Sequence, residues 1–124
     1  NMIVTEGGKN VYPEDIEAGF SGLDDCEEFA VYAANYLWPT GRLGADSEQL
    51  VIVVRPKPGS NDEQVAALFE ALRARNRRLA DYKRLAGYVL WEREFPRTAS
   101  QKLKRDPLAR ELRARCDRAA IRGL

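Results

Sequence analysis

The sequence predicts a single α+β domain in which helices pack against a small sheet. Its 124 residues suit one compact domain that buries a core without disulfides or metals. A β-prone run at 48–58 and a period-two run at 86–96 flank a segment near 65–82 whose apolar residues recur at helical spacing. Taken in order, these elements favour an α+β sandwich whose helices cover one face of the sheet.

The first half of the chain predicts a hairpin, a short helix and two paired strands. Two β-prone runs flank the glycine turn "EGGK" within Met2–Pro13. Proline followed by acidic residues is typical of a first helical turn, so a short helix should start at Pro13 and end near Gly22. Strands follow from about Glu28 to Tyr36 and in "EQLVIVVRPKP", and the loop "PTGRLGADS" between them favours antiparallel pairing.

The second half predicts a long helix, a third strand and a last helix. Ser60 and Glu63 fit a capping box for a helix of about twenty residues. Its apolar positions are Val65, Leu68, Phe69, Leu72, Leu79 and Tyr82, opposite Arg73, Arg75, Arg77 and Arg78. "AGYVLWEREFP" alternates with period two as a strand. The last helix follows Pro107, with an apolar stripe of Leu108, Leu112, Cys116 and Ala119 or Ala120. The predicted sheet is thus an N-terminal β-hairpin plus about three antiparallel strands.

Composition argues against several kinds of site. No apolar run approaches the roughly 18 residues of a membrane span, and no secretory signal is visible. The chain has no histidine, and Cys26 and Cys116 stand far apart without a C-x-x-C pattern. This argues against a zinc site and against histidine-dependent catalysis, so we predict no metal site and two inert thiols.

Charge is divided unevenly along the chain, although the net charge is +1. Residues 1–59 hold ten acidic and four basic side chains, and residues 60–124 hold nine acidic and sixteen basic ones. A basic half can face phosphates, and the arginine run "RARNRRLADYKR" at 73–84 is a candidate nucleic-acid surface. Asp81 interrupts that run and no aromatic platform accompanies it, so a solvated helix face is favoured and no nucleic-acid partner is predicted.

Two stretches could carry chemistry. Gly7 and Gly8, beside Lys9, let a backbone approach a ligand closely, but they equally suit a simple hairpin turn. In "FPRTASQKLKR", at 95–105, hydroxyls and then cations follow a predicted strand. The composition of residues 95–105 alone favours a solvated basic turn. A lysine on such a mobile segment can also place a compact positive charge against a carboxylate and a phosphate oxygen.

These two stretches resemble motifs of the adenylate-forming superfamily, in the C-terminal domain of its AMP-forming acyl-CoA synthetases. "MIVTEGGKNVYPEDIE" resembles the motif that follows the family's interdomain hinge, and "PRTASQKLKR" resembles its closing P-R-T-x-x-G-K motif. Between them, "NRRLADYKRLAGYVLWEREFP" is similar to the bacterial long-chain fatty-acid CoA ligase branch. The resemblance covers Met2 to about Leu112 and implies the fold of the small, mobile C-terminal domain of these enzymes.

The resemblance implies a part in a two-step reaction. In this family a carboxylate and ATP give acyl-AMP and pyrophosphate, and the CoA thiol displaces AMP after the small domain rotates. Lys102 matches the motif lysine that faces the carboxylate and the nucleotide during adenylation. Gly7, Gly8 and Lys9 match the loop that lines the pantetheine tunnel during thioester formation.

The resemblance also implies partners that lie outside this chain. Residues 1–124 would be the small domain, and an absent N-terminal domain would bind most of the ATP, magnesium and fatty acid. The expected location is the cytoplasm, with peripheral attachment to the inner membrane face left open. We expect the isolated chain to have no ligase activity.

The sequence departs from the family motif at one position, and one alternative function is also considered. The motif glycine before the lysine is Gln101 here, which could stiffen the loop that carries Lys102. The alternative function is a stand-alone CoA-binding, acyl-binding or regulatory module with the same fold and no catalysis.

Overall fold

The computed structural model describes residues 2–4, 8–40 and 49–124. Within these ranges the chain forms a two-stranded ribbon and a four-stranded mixed sheet, and helices cover both faces of the larger sheet. The predicted α+β class is confirmed. None of the helices in these ranges is long and apolar enough to cross a membrane.

The two-stranded ribbon leads directly into the first helix. Strand β1 (Ile3–Val4) pairs antiparallel with β2 (Asn10–Val11), as the glycine turn predicts. Helix α1 (Pro13–Glu17) starts at the proline and continues as a 3-10 turn, Ala18–Phe20. Proline suits this first turn because its missing N–H would have no helical acceptor there. Both predictions for this region are confirmed.

The larger sheet has the order β3-β4-β5-β6. Strand β3 (Cys26–Ala33) pairs antiparallel with β4 (Leu50–Pro56), as predicted. Strand β5 (Gly87–Leu90), however, pairs parallel with β4, so the prediction of wholly antiparallel strands is wrong at this pair. The short strand β6 (Arg122–Gly123) completes the sheet beside β5 and was not predicted.

A helical crossover explains the parallel pair. Helix α3 (Asp62–Arg78) lies between β4 and β5 in the chain and is 17 residues long. Parallel neighbours need a connection of about a dozen residues or more, which a helix of this length supplies. The chain therefore re-enters the sheet in the same direction as β4.

Both faces of the sheet are covered, which corrects the expectation of helices on one face. Strand β4 is the reason, because all five residues from Leu50 to Val54 are buried. Leu50, Ile52 and Val54 join the core that contains α1 and α3 side chains. Val51 and Val53 join a second core with helix α2 (Ala34–Leu37) and helix α4 (Arg105–Arg115). A strand that is buried on both faces has a continuous apolar sequence, and "LVIVV" is such a sequence.

Strand β3 ends earlier than predicted. It stops at Ala33, and the residues expected to extend it as far as Tyr36 form α2 instead. Contacts distant in sequence satisfy the carbonyls at the end of this helix. The Arg113 guanidinium donates to the carbonyls of Leu37 at 2.9 Å and Tyr36 at 2.6 Å. A local pattern of β-prone residues cannot reveal such a tertiary cap.

The long helix begins one residue later than predicted. The capping box is formed by Asn61 and Gln64 rather than by Ser60 and Glu63. The Gln64 N–H donates to Asn61 Oδ1 at 2.8 Å, and the Asn61 N–H donates to Gln64 Oε1 at 2.9 Å. Ser60 instead donates its hydroxyl to the Lys57 carbonyl at 2.6 Å, in the turn that precedes the helix.

A buried amide fixes the return from α3 to the sheet. Asn76 is buried, accepts the Leu85 N–H at 2.8 Å and donates to the Leu85 carbonyl at 3.0 Å. The helix ends at Arg78, so Leu79 and Tyr82 lie beyond it rather than on its apolar stripe. In β5 the predicted alternation is confirmed for Tyr88, which joins the α3 core, and Val89, which joins the α4 core. The strand ends at Leu90, however, and does not continue to Phe95 as predicted.

Helix α4 begins two residues before Pro107 and buries the predicted stripe. Leu108 and Leu112 are fully buried against the second core. Cys116 and Ala120 pack against the same core after the helix has ended, whereas Ala119 is exposed. Ala120 is therefore the residue that continues the stripe.

Candidate functional site

Lys102 lies in a hairpin formed by residues 96–104, which we call the lysine hairpin. Arg97 and Leu103 pair antiparallel across it. The Lys104 N–H donates to the Pro96 carbonyl at 2.9 Å, and the Thr98 N–H donates to the Lys102 carbonyl at 2.8 Å. The sequence predicted a mobile segment here, but these bonds give the segment a defined backbone.

The tip of the hairpin is a tight turn closed by Gln101. The Gln101 N–H donates to the Thr98 carbonyl at 2.9 Å, and Gln101 then adopts a φ of 70°. A turn followed by one residue in the left-handed region is the standard three-residue hairpin loop, and glycine suits that last position best. Gln101, where the motif that this stretch resembles has glycine, thus occupies a left-handed position in this chain.

Hydroxyl groups complete the turn. Thr98 Oγ1 accepts the Lys102 N–H at 3.1 Å and lies 3.1 Å from the Ser100 hydroxyl. The side chain of Lys102 is exposed, and its ammonium forms no ion pair with any residue in the described ranges. The charge of Lys102 is therefore available to a ligand or a partner surface.

A surface groove of about 500 Å³ runs beside the lysine hairpin. Its charged lining residues are Glu14, Glu17, Glu27, Glu28, Arg97, Lys102 and Arg105. Carboxylates and cations thus meet where the hairpin joins the body of the domain. Two of the carboxylates, Glu28 and Glu17, hold the two ends of the hairpin.

Glu28, on β3, holds the first end. Its Oε2 accepts the Phe95 N–H at 3.1 Å and the Arg55 guanidinium at 2.9 Å. Its Oε1 accepts Arg97 Nε at 2.8 Å. Burial opposes ionisation of Glu28, but the Phe95 N–H and the two guanidinium groups outweigh it and hold the pKa of the carboxyl below its usual value.

Glu17, the last residue of α1, holds the second end. Its two carboxylate oxygens lie 2.7 and 2.6 Å from Arg105 Nη2, at the start of α4. Glu17 Oε2 also accepts the Val31 N–H at 2.8 Å, while Arg105 Nη1 donates to the Val31 carbonyl at 3.0 Å. Glu17 belongs to the first resembling stretch and Arg105 to the second, so this ion pair joins the two motifs through β3.

Gly8 and Lys9 directly precede β2. Gly8 has a φ of 77°, and a Cβ added to it would meet no atom within 4 Å. Gly7 lies outside the described residues. Lys9 is exposed, and its ammonium lies 5.3 Å from the centre of the Tyr82 ring, beyond the end of α3. The structure therefore gives Lys9 and Lys102 different surroundings.

Two arginines of the run at 73–84 make contacts within the domain. Arg75 donates to the carbonyls of Gly19 and Ser21 at 3.1 and 3.0 Å. Arg84 donates to the Leu79 carbonyl at 3.1 Å and pairs with Asp81 at 3.0 Å. The sequence predicted a solvated helix face here, but Arg75 bonds to the body of the domain, and Arg84 lies beyond α3, which ends at Arg78.

The thiols and acidic side chains of the described residues form no cluster of possible metal ligands. Burial raises the pKa of Cys26 to about 11, and its thiol donates to the Glu28 carbonyl at 3.2 Å. Within residues 2–4, 8–40 and 49–124, no group of three or more cysteine, aspartate or glutamate side chains could hold a metal ion.

Sequence reasoning named Lys102 as a candidate but did not name the carboxylates that anchor its hairpin. Glu28 stands in "CEEFAVYA" beside Glu27, and nothing local distinguishes the bridging carboxylate from its exposed neighbour. Glu17 and Arg97 occur inside the two resembling stretches, yet only the fold brings them to their partners. The only hint in the sequence was that Glu28 is a charged residue within a predicted strand, and such a residue is weak evidence of a role by itself.

No protein-family model and no curated protein sequence matches the chain. Solved structures do match. A Mycobacterium tuberculosis fatty acyl CoA synthetase has a TM-score of 0.59 and 24% identity, over 91% of this chain and 20% of that one. ATP-bound MatB from Rhodopseudomonas palustris has a TM-score of 0.60 and 22% identity, over 90% and 20%.

A third solved structure matches over a similar share of each chain. The o-succinylbenzoate CoA synthetase MenE from Bacillus subtilis, bound to the product analogue OSB-NCoA, has a TM-score of 0.54 and 23% identity. It covers 86% of this chain and 19% of that one. The chain thus spans about a fifth of the length of the structures it matches, and at these identities the likeness establishes the fold.

Replacing Gln101 by glycine should stabilise the domain, because glycine removes the cost of a left-handed side chain. We expect a net gain of about 0.5–1 kcal/mol after the greater freedom of glycine in the unfolded chain is counted. In thermal unfolding followed by circular dichroism this is a rise in Tm of about 2–5 °C. Ala99→Gly, at a neighbouring exposed position outside the left-handed region, is the control and should lower the Tm slightly. A lower Tm in Gln101→Gly would contradict the strained-turn interpretation.

Because of Glu28, the free energy of unfolding of the domain should decrease as the pH falls into the acidic range. Because its pKa is lowered in the folded state, its contribution is fully present above the unfolded-state pKa of about 4.3 and is lost as the pH falls through the folded-state value. Glu28→Gln should therefore cost about 2–3 kcal/mol at neutral pH. The difference from the parent chain should shrink below about pH 4. Urea unfolding across pH 3–7 measures this, and a gap that stays constant with pH would be the contrary result.

Proposed function

We propose that the chain is the C-terminal, rotating domain of an ATP-dependent, AMP-forming fatty acid–CoA ligase of the long-chain branch. One observation carries the proposal. Lys102 directly follows the turn of a hairpin whose two ends are anchored to the first resembling stretch and to the central sheet. A fold shared with parts of CoA synthetases supports it.

Lys102 would act in the first half reaction. There, a carboxylate oxygen of the fatty acid attacks the α-phosphorus of ATP and pyrophosphate leaves. Negative charge shifts among the carboxylate, the phosphate and the leaving group during this step. A compact ammonium held on a defined hairpin suits stabilisation of that charge, because a preorganised charge needs no rearrangement as the reaction proceeds.

The glycine loop would act in the second half reaction. The CoA sulfur attacks the acyl carbonyl carbon, the thiol proton is lost and AMP leaves. Open space around Gly8 suits the close approach of the extended pantetheine chain, with Lys9 beside it. ATP, magnesium and the acyl chain would be held mainly by a larger N-terminal domain, the partner against which this domain turns.

Lys102→Ala in the longer ligase should separate the two half reactions. Acyl-adenylate formation, measured as pyrophosphate release, should fall by about 100- to 1,000-fold, because the variant removes a preorganised charge. Thioester formation from supplied acyl-AMP should be largely unchanged. Lys104→Ala, an exposed lysine two residues later, is the matched control. Equal losses in both half reactions, or intact adenylation, would remove Lys102 from this role.

Gly8→Val in the longer ligase should impair the second half reaction and spare the first. Valine is strained at a φ of 77°, and its side chain would enter the space proposed for pantetheine. Thioester formation from acyl-AMP should fall, while acyl-adenylate formation should be spared. Gly59→Val is the control, since Gly59 has a φ of 82° and equally open surroundings but lies in the turn before α3. Unchanged thioester formation in Gly8→Val would leave Gly8 as a simple turn residue.

A further inference from the structure

Glu28 occupies an unusual position for a carboxylate. It lies on β3 at the point where the ladder with β4 is irregular, between Cys26 and Glu28. Its side chain is only 10% exposed, yet it accepts from three separate donors. Two of these donors, the Phe95 N–H and Arg97 Nε, belong to the segment that enters the lysine hairpin.

Arg97 extends this contact to the tip of the hairpin. Its Nε donates to Glu28 at 2.8 Å, and its Nη1 donates to the Gln101 carbonyl at 2.9 Å. Gln101 is the strained residue directly before Lys102. One planar guanidinium therefore connects the sheet to the peptide unit that links Gln101 to Lys102. A rigid fork of donors suits this double contact, whereas a lysine ammonium at position 97 would act as a single point charge.

The direction in which Lys102 projects depends on that peptide unit. The lysine side chain is long and exposed and has no ion-pair partner among the described residues, so its own contacts do not direct it. The left-handed turn at Gln101 is unfavourable for glutamine and persists only if surrounding bonds impose it. The Glu28–Arg97–Gln101 chain of contacts supplies such bonds from the rigid sheet.

We propose that Glu28 is a positioning residue for Lys102 and acts through Arg97 and the Gln101 carbonyl. This inference rests on the proposed function, because it assigns Glu28 to the adenylation step alone. Glu28 touches no reacting atom in this proposal. Its carboxylate fixes the hairpin so that the Lys102 ammonium reaches the place where charge develops.

A double-mutant cycle in the longer ligase tests the proposal. Glu28→Gln keeps the size of the side chain but removes the charge that binds Arg97. We expect acyl-adenylate formation to fall by about 10- to 100-fold, as for a small misplacement of a catalytic group, with thioester formation from acyl-AMP spared. Added to Lys102→Ala, the same change should cause no further loss of adenylation, because its effect passes through the lysine.

A matched control and a second variant keep the test decisive. Glu27→Gln changes the exposed carboxylate next to Glu28, which lines the same groove, and should leave both half reactions unchanged. If Glu28→Gln fails to fold, Arg97→Lys replaces it, since lysine keeps the charge but cannot maintain both contacts.

The outcomes separate this inference from the proposed function. Intact adenylation in Lys102→Ala would overturn both. A selective loss in Lys102→Ala, together with equal losses in both half reactions for Glu28→Gln, would overturn only the positioning role and leave Glu28 as a structural residue. A further loss of adenylation in the double variant would overturn it as well, since Glu28 would then act independently of Lys102.

Discussion

The ion pair between Glu17 and Arg105 is the interaction on which the arrangement of this domain depends. It joins α1 to α4 across β3, and both partners also bond to the backbone of Val31. Each side chain of the pair is only 17% exposed. A buried charge pair offsets its desolvation only when the remaining polar atoms are also satisfied, and here the peptide groups of β3 satisfy them. The pair therefore fixes geometry: it sets where α4 begins, and hence where the lysine hairpin ends.

The sheet makes this arrangement possible because it is buried on both sides. Strand β4 contributes alternate side chains to two cores, one with α1 and α3 and one with α2 and α4. Side chains on β3 next to this rigid centre have little freedom, so a carboxylate there can hold a distant arginine in one place. Glu28 lies on β3 itself, and Glu17, at the end of α1, is held against β3 by the Val31 N–H. The hairpin is consequently attached to the best-packed part of the domain.

Features that depend on neighbouring residues in the sequence were predictable, and features that depend on residues far apart in the sequence were not. The helix start at Pro13, the strand "LVIVV" and the stripe of Leu108 and Leu112 follow from local periodicity, and all three are confirmed. The parallel β4–β5 pair and the second covered face were not predicted, because they depend on where a helix returns the chain. Lys102 was named as a candidate from the motif that its stretch resembles. Its supports were not, because Glu28 and Arg97 are 69 residues apart and meet only in the fold.

The two candidate functional elements differ in how the domain supports them. Lys102 is carried by a hairpin bonded to the sheet at one end and to α1 at the other. Gly8 is carried by a ribbon of two-residue strands that enters α1 directly. Since α1 also holds Glu17, any movement of the body that carries one element must carry the other. Under the proposed function, this favours exchange of the two elements by rotation of the whole domain over independent movement of two loops. The ion pair that joins the two motifs would then be what makes the domain turn as one unit.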